Sequence, residues 1–152
     1  MNSFGFAFDP LKDRLWQTEN GPACNDEINL IRKGGNYGWG PSATCDGASP
    51  GNTNRDGPSP IRPELFYKQA IGITGIAFCD GCGLGSRSEG RAFFGAVNSG
   101  EVTRITLNAR RSGVRRDVLV YDHDSGVLSI EVGLGGSLYF SDFDGVYRLS
   151  RA

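Results

Sequence analysis

The order of apolar and polar positions repeats one phrase three times. Residues 4–8 (FGFAF) are an apolar run, closed by Asp9-Pro10-Leu11-Lys12-Asp13, whose residue types form turns. Residues 14–18 (RLWQT) alternate, with Leu15 and Gln17 facing one way and Trp16 the other. Asn20-Gly21-Pro22 breaks that strand, and residues 27–31 (EINLI) predict a third. The second phrase runs through GIAF (75–78), a turn containing CDGCGLGSRSEG, RAFFGAV (91–97) and EVTRITL (101–107), with VRRDVLVY (114–121) as a fourth strand. The third is shorter: LSIEV (128–132), SLYFS (137–141) and GVYRL (145–149).

In each phrase an apolar strand leads, a second carries aromatics and a third alternates. The units start at Gly5, Gly75 and Ser129, and the first contains a polar insertion over residues 40–65. A β-sandwich has no reason to repeat one phrase, whereas radial blades of about 40–50 residues do. The expected fold is all-β: a partial β-propeller of about three four-stranded antiparallel blades. The blades occupy roughly residues 1–70, 71–124 and 125–152 of a single domain. Propellers close with roughly four to eight blades, so three leave open edges that need covering. The chain is then either part of a longer propeller or a half-ring completed by self-association, a homo-oligomer.

Composition sharpens this. With 152 residues the chain can bury a core, and 23 glycines favour many tight turns over long helices. A net charge of −1 offers no basic face for nucleic acid. No apolar run approaches the roughly 18 residues of a membrane span, and MNSFGFAFDP lacks the layout of a signal peptide. Four cysteines in a loop-rich chain predict two disulfides and an extracytoplasmic, periplasmic or secreted setting; the alternative is four free thiols.

Three stretches carry a resemblance: GFAFDP, then RLW-x-TENGP, then DEINLI-x-x-GGNYGW. Together they resemble the soluble glucose/sorbosone (aldose sugar) dehydrogenases, six-bladed propellers that use pyrroloquinoline quinone (PQQ) and calcium. The likeness covers nearly the whole chain but only the C-terminal half of the family's domain. It implies that the carbonyls of Gly21 and Pro22 hold one calcium and that Glu27 and Tyr37 hold a second. Calcium selects such oxygen donors. It also implies that Asn2 contacts the quinone.

The chain departs from the family pattern at Met1 and Phe4, where the family has arginine and glutamine, and at 96–99, where it has a lysine. VLSIEVGLGGS carries none of the arginines that grip the quinone carboxylates. The family's catalytic base, a histidine, lies in the half not matched here. His123 sits between two aspartates in YDHDSG and reads as a surface turn residue, so no catalytic residue is expected in this chain.

Cys79-Asp80-Gly81-Cys82 has knuckle spacing, but Cys24 and Cys45 do not form a second knuckle. A short-loop disulfide with Cys24–Cys45 as the other bridge is the better expectation. The glycine run GCGLG lacks the following helix of a nucleotide site. The expected function is the C-terminal half of a PQQ- and calcium-dependent aldose dehydrogenase, inactive alone, with a sugar substrate only in the whole enzyme. The alternative is a non-catalytic, calcium-stabilised half-propeller acting as a binding module through self-association.

Overall fold

The computed structural model describes residues 2–21, 23–38, 45 and 58–151. Eleven strands are described: β1 (Asn2–Asp9), β2 (Arg14–Asn20), β3 (Asp26–Leu30), β4 (Leu65–Tyr67), β5 (Ile73–Phe78), β6 (Ala92–Ala96), β7 (Glu101–Leu107), β8 (Val114–Asp122), β9 (Ser129–Val132), β10 (Leu138–Ser141) and β11 (Val146–Arg148). They form three antiparallel meanders, β1-β2-β3-β4, β5-β6-β7-β8 and β9-β10-β11. The all-β, blade-like architecture is therefore present. The third sheet has three strands among the described residues rather than the expected four, which leaves β11 as an edge. The first sheet gains its fourth strand at Leu65–Tyr67, where the sequence showed only the end of a polar insertion. Three residues are too few to register a period there.

The leading strands stand side by side, β1 against β5 and β5 against β9. Glycine sets that spacing. A Cβ on Gly5 would lie 2.8 Å from the Gly75 Cα, and one on Gly75 would lie 2.6 Å from the Ile130 nitrogen. The unit starts read from the sequence are thus the points where backbones touch. Side-chain hydroxyls lock the same seams: Thr18 Oγ1 donates to the Thr74 carbonyl, and Thr74 Oγ1 to that of Val127 at 2.8 Å.

Between the first two sheets, Trp16, Ile28 and Leu30 pack with Ile73, Ile76, Phe94 and Ile105. Between the second and third, Phe93 and Val102 pack with Val127, Ile130, Leu138 and Phe140. Of the aromatics expected in these seams, Tyr139 is the exception: it is half-buried and lies over Gly133. A buried ion pair also spans the first seam. Arg111, in the β7–β8 turn, holds Asp9 at the end of β1, donates to the Gly90 carbonyl at 2.8 Å and lies over the Phe78 ring.

Along β1 the outer face of the first sheet is open. Phe4, Phe6 and Phe8 point from β1 into solvent, 47%, 55% and 63% exposed, while Gly5, Ala7 and Asp9 turn inward. Both disulfides form as expected, Cys24–Cys45 and Cys79–Cys82.

Candidate functional site

All three leading strands start at the same end of the molecule, and so do the turns after β2, β6 and β10. Asn2 is exposed there, opposite Asn20 in the β1–β2 register, and the Asn20 Oδ1 is buried without a partner. Gly21 begins the β2–β3 turn. A Cβ at Gly21 would collide with the Cys24 carbonyl oxygen and lie 2.9 Å from that of Asn25, so backbone oxygens crowd this turn. Pro22 lies outside the described residues. Asp26 fixes the turn: one carboxylate oxygen accepts from Gly21 N at 3.0 Å, the other from Gly72 N at 2.7 Å and Ile73 N at 3.1 Å.

Strand alternation does the next piece of work. Trp16, Thr18, Ile28 and Leu30 face the seam, so Gln17, Glu19, Glu27 and Asn29 share the opposite face. The β2–β3 register sets Glu19 directly against Glu27 and Gln17 against Asn29, and all four are buried. Asn29 Nδ2 donates to Glu27 Oε2 at 3.3 Å, and Gln17 Nε2 to Glu19 Oε2 at 3.2 Å. The Asn29 Oδ1 is fully buried with no hydrogen-bond donor.

Burial pushes the Glu27 carboxyl up to about 7, against the Asn29 hydrogen bond and with help from the charges of Glu19 and Asp26. Burial likewise raises Glu19. Two like-charged carboxylates facing each other and an orphaned amide oxygen are a strained arrangement that a cation would satisfy.

The two carboxylates and one amide oxygen of this face are the kind of donor calcium takes, with no nitrogen or sulfur ligand among them, although no third acidic side chain joins them among the described residues. Of the residues expected from sequence, the structure brings Gly21 and Glu27 to this end. The Tyr37 hydroxyl lies elsewhere, accepting from Arg32 N and donating to the Leu30 carbonyl at 2.9 Å, at the far end of β3. Glu19 and Asn29 were missed from the sequence, although alternation from Trp16 and Ile28 would have put them beside Glu27.

The fit to a quinone carrying several carboxylates is different. Among the described residues of this end, Lys68 is the sole lysine or arginine, while Glu101, Asp122, Asp124, Asp142 and Asp144 cluster in its turns and strand ends. Such an anion needs arginine forks, and these residues do not supply them.

His123 is not the surface turn residue expected. Its imidazole is largely enclosed by Phe140, Tyr147 and Tyr121, and its Nε2 meets Asp142 Oδ2 at 2.9 Å across the second seam. The sequence offered Asp122 and Asp124 as its partners; the pairing comes instead from the β10–β11 turn. The His123 hydrogen bond, supported by Asp144 and Gly145 backbone amides and the Tyr147 hydroxyl, holds the Asp142 carboxyl down at about 2.

A folded carboxyl below its ordinary value near 3.8 adds stability that is complete above that value and vanishes as pH falls toward 2. Urea melts of the wild type should therefore weaken between about pH 4 and pH 2. In Asp142→Asn this acid limb should be shallower, and equal slopes would contradict the pairing.

The glucose/sorbosone dehydrogenase family model matches residues 1–148. The aldose sugar dehydrogenase YliI of Escherichia coli is 28% identical over 143 residues, covering 91% of this chain and 38% of the relative. The quinoprotein glucose dehydrogenase B of Acinetobacter calcoaceticus is 60% identical over 38 residues, covering 25% of this chain and 8% of that protein. A crystal structure of a glucose dehydrogenase superposes with a TM-score of 0.80 at 26% identity, covering 99% of this chain and 45% of that one. The chain thus spans less than half the length of these relatives. By its matched length and its blade-forming strands, the chain belongs to the glucose/sorbosone dehydrogenase family.

Proposed function

We propose that this chain supplies the calcium-holding part of an aldose-oxidising site and does not complete the reaction alone. The observation that carries the reading is the buried face of Glu19, Glu27 and Asn29 beside the carbonyl-crowded Gly21 turn. Glu27, Glu19 and the Asn29 amide oxygen are the side chains that would hold an ion, with Gly21 and Pro22 offering carbonyls to a second. A calcium ion held by the Gly21 and Pro22 carbonyls would supply Lewis acidity toward an oxygen of a bound partner, while one on the buried Glu19–Glu27–Asn29 face would stabilise the fold.

Asn2 lies at the same end, where it could donate to a cofactor oxygen. Among the described residues of this end the cation set for PQQ is lacking, so PQQ binding and oxidation of a sugar at C1 would fall to a larger assembly. The family's histidine base has no counterpart, since His123 is committed to Asp142. The two disulfides suggest that this assembly works in an extracytoplasmic compartment.

Mixing the chain with PQQ, calcium and a panel of aldoses should give no sugar-dependent reduction of a redox dye above the protein-free blank. Turnover would overturn the proposal.

A second reading is favoured by the open stripe of Phe4, Phe6 and Phe8: a half-ring that pairs with a second copy to cover it. Sedimentation at micromolar concentration should then show a dimer, and a stable monomer would remove this reading.

A further inference from the structure

A cleft of about 490 Å³ opens between the second and third sheets, apart from the Glu19–Glu27–Asn29 face of the first sheet. That is within the range of small-molecule sites, roughly 300–1,000 Å³. Its walls carry Arg104 from β7, Arg148 from β11 and Arg151, with Tyr121, Phe140 and Tyr147 as aromatic surfaces. No aspartate or glutamate lines it. In a chain of net charge −1 this is a local excess of positive charge.

None of the three arginines pairs with a carboxylate among the described residues, where the ion pairs are Arg111–Asp9 and His123–Asp142. Arg104 is half-buried. Its Nη1 reaches only the Ser88 hydroxyl at 3.4 Å, and its Nε is buried with no acceptor. A buried guanidinium N–H without an acceptor is costly, and a carboxylate would satisfy it in bidentate fashion. Tyr147 and Phe140 stack on each other, 5.1 Å between centroids, and His123 packs edge-on against both. The aromatic wall is therefore preformed rather than assembled on binding.

The geometry points to a binding site for an acidic carbohydrate, a uronate-bearing oligosaccharide, in this cleft. Carboxylates would meet Arg104, Arg148 and Arg151. The apolar faces of the sugar rings would lie on Tyr121 and Tyr147, and the Ser88 and Ser150 hydroxyls would offer hydrogen bonds. An inorganic anion would use the arginines but leave the aromatic wall unused. A neutral sugar would do the reverse and leave Arg104 unsatisfied. The site is separate from the oxygen-donor face and does not depend on calcium or quinone binding.

Calorimetric titration of the 152-residue chain with trigalacturonate, maltotriose and sodium sulfate tests this. Trigalacturonate should bind at least about tenfold more tightly than either comparator, and added salt should weaken it. Arg104→Gln should cost about tenfold in affinity. Because Arg104 is half-buried, the exposed pair R148Q/R151Q is the second arm, expected to weaken binding about tenfold with an unchanged thermal midpoint. Absence of binding at millimolar trigalacturonate, equal affinity for maltotriose or for sulfate, or unchanged affinity in R148Q/R151Q would each overturn the assignment.

Discussion

Arg111→Met is expected to destabilise the protein by about 3–5 kcal/mol, because it strands a buried carboxylate rather than merely deleting a contact. Asp9 is fully buried, and the Arg111 side chain keeps only 10% of its surface. Besides Arg111, Asp9 accepts the Leu11 amide at 3.0 Å, a turn bond that cannot neutralise it. The loss should exceed that of the double variant Asp9→Asn/Arg111→Met, in which no bare charge remains. Urea melts of the two singles and the double measure this directly. A cost under about 1 kcal/mol for Arg111→Met would mean that water already reaches Asp9. The pair joins the end of β1 to the β7–β8 turn, so its loss should loosen the first seam while leaving each sheet paired.

Trp16→Ala should cost a similar amount, about 3–5 kcal/mol, for a different reason. Trp16 is fully buried in the first seam, among Ile28, Ile73, Ile76 and Phe94, and its removal leaves a cavity that rigid strands cannot fill. The indole adds a twist: its Nε1 is buried without an acceptor. Trp16→Phe removes that unsatisfied donor along with part of the volume, so it should cost much less than Trp16→Ala. Thermal melts of the two variants check the order, and equal losses would show that volume alone matters at this site.

How far the sequence revealed these features depends on what each rests on. The strand phrases, their glycine starts and the two disulfides were readable because a strand period of two, a turn residue and a cysteine each act locally. The glycines proved more telling than their turn role implied, since Gly5 and Gly75 fix how closely neighbouring sheets approach. The Arg111–Asp9 and His123–Asp142 pairs join positions far apart in the chain, and no local pattern announces either. His123 shows the error this causes: two adjacent aspartates looked like its partners, while the turn geometry supplied a third. The strand at 65–67 hid behind a polar insertion because it is short.

At the candidate site, Gly21 and Glu27 came from a resemblance. Glu19 and Asn29 came from the register between β2 and β3, which places Glu19 opposite Glu27. The Tyr37 hydroxyl bonds locally to the Arg32 amide and the Leu30 carbonyl, a contact the motif alone does not announce.

On the reading proposed above, the face carrying Glu19, Glu27 and Asn29 holds calcium. A ligand that binds only the folded state stabilises it by about 2.7 kcal/mol at a hundred times its dissociation constant. The most direct measurement is the thermal midpoint of chelator-treated protein across a calcium titration, with magnesium in parallel and Glu27→Gln as the control. The midpoint is expected to climb steadily with calcium, respond less to magnesium, and stay flat in a folded Glu27→Gln variant. A midpoint unmoved by millimolar calcium, or an equal rise in Glu27→Gln, would contradict that reading.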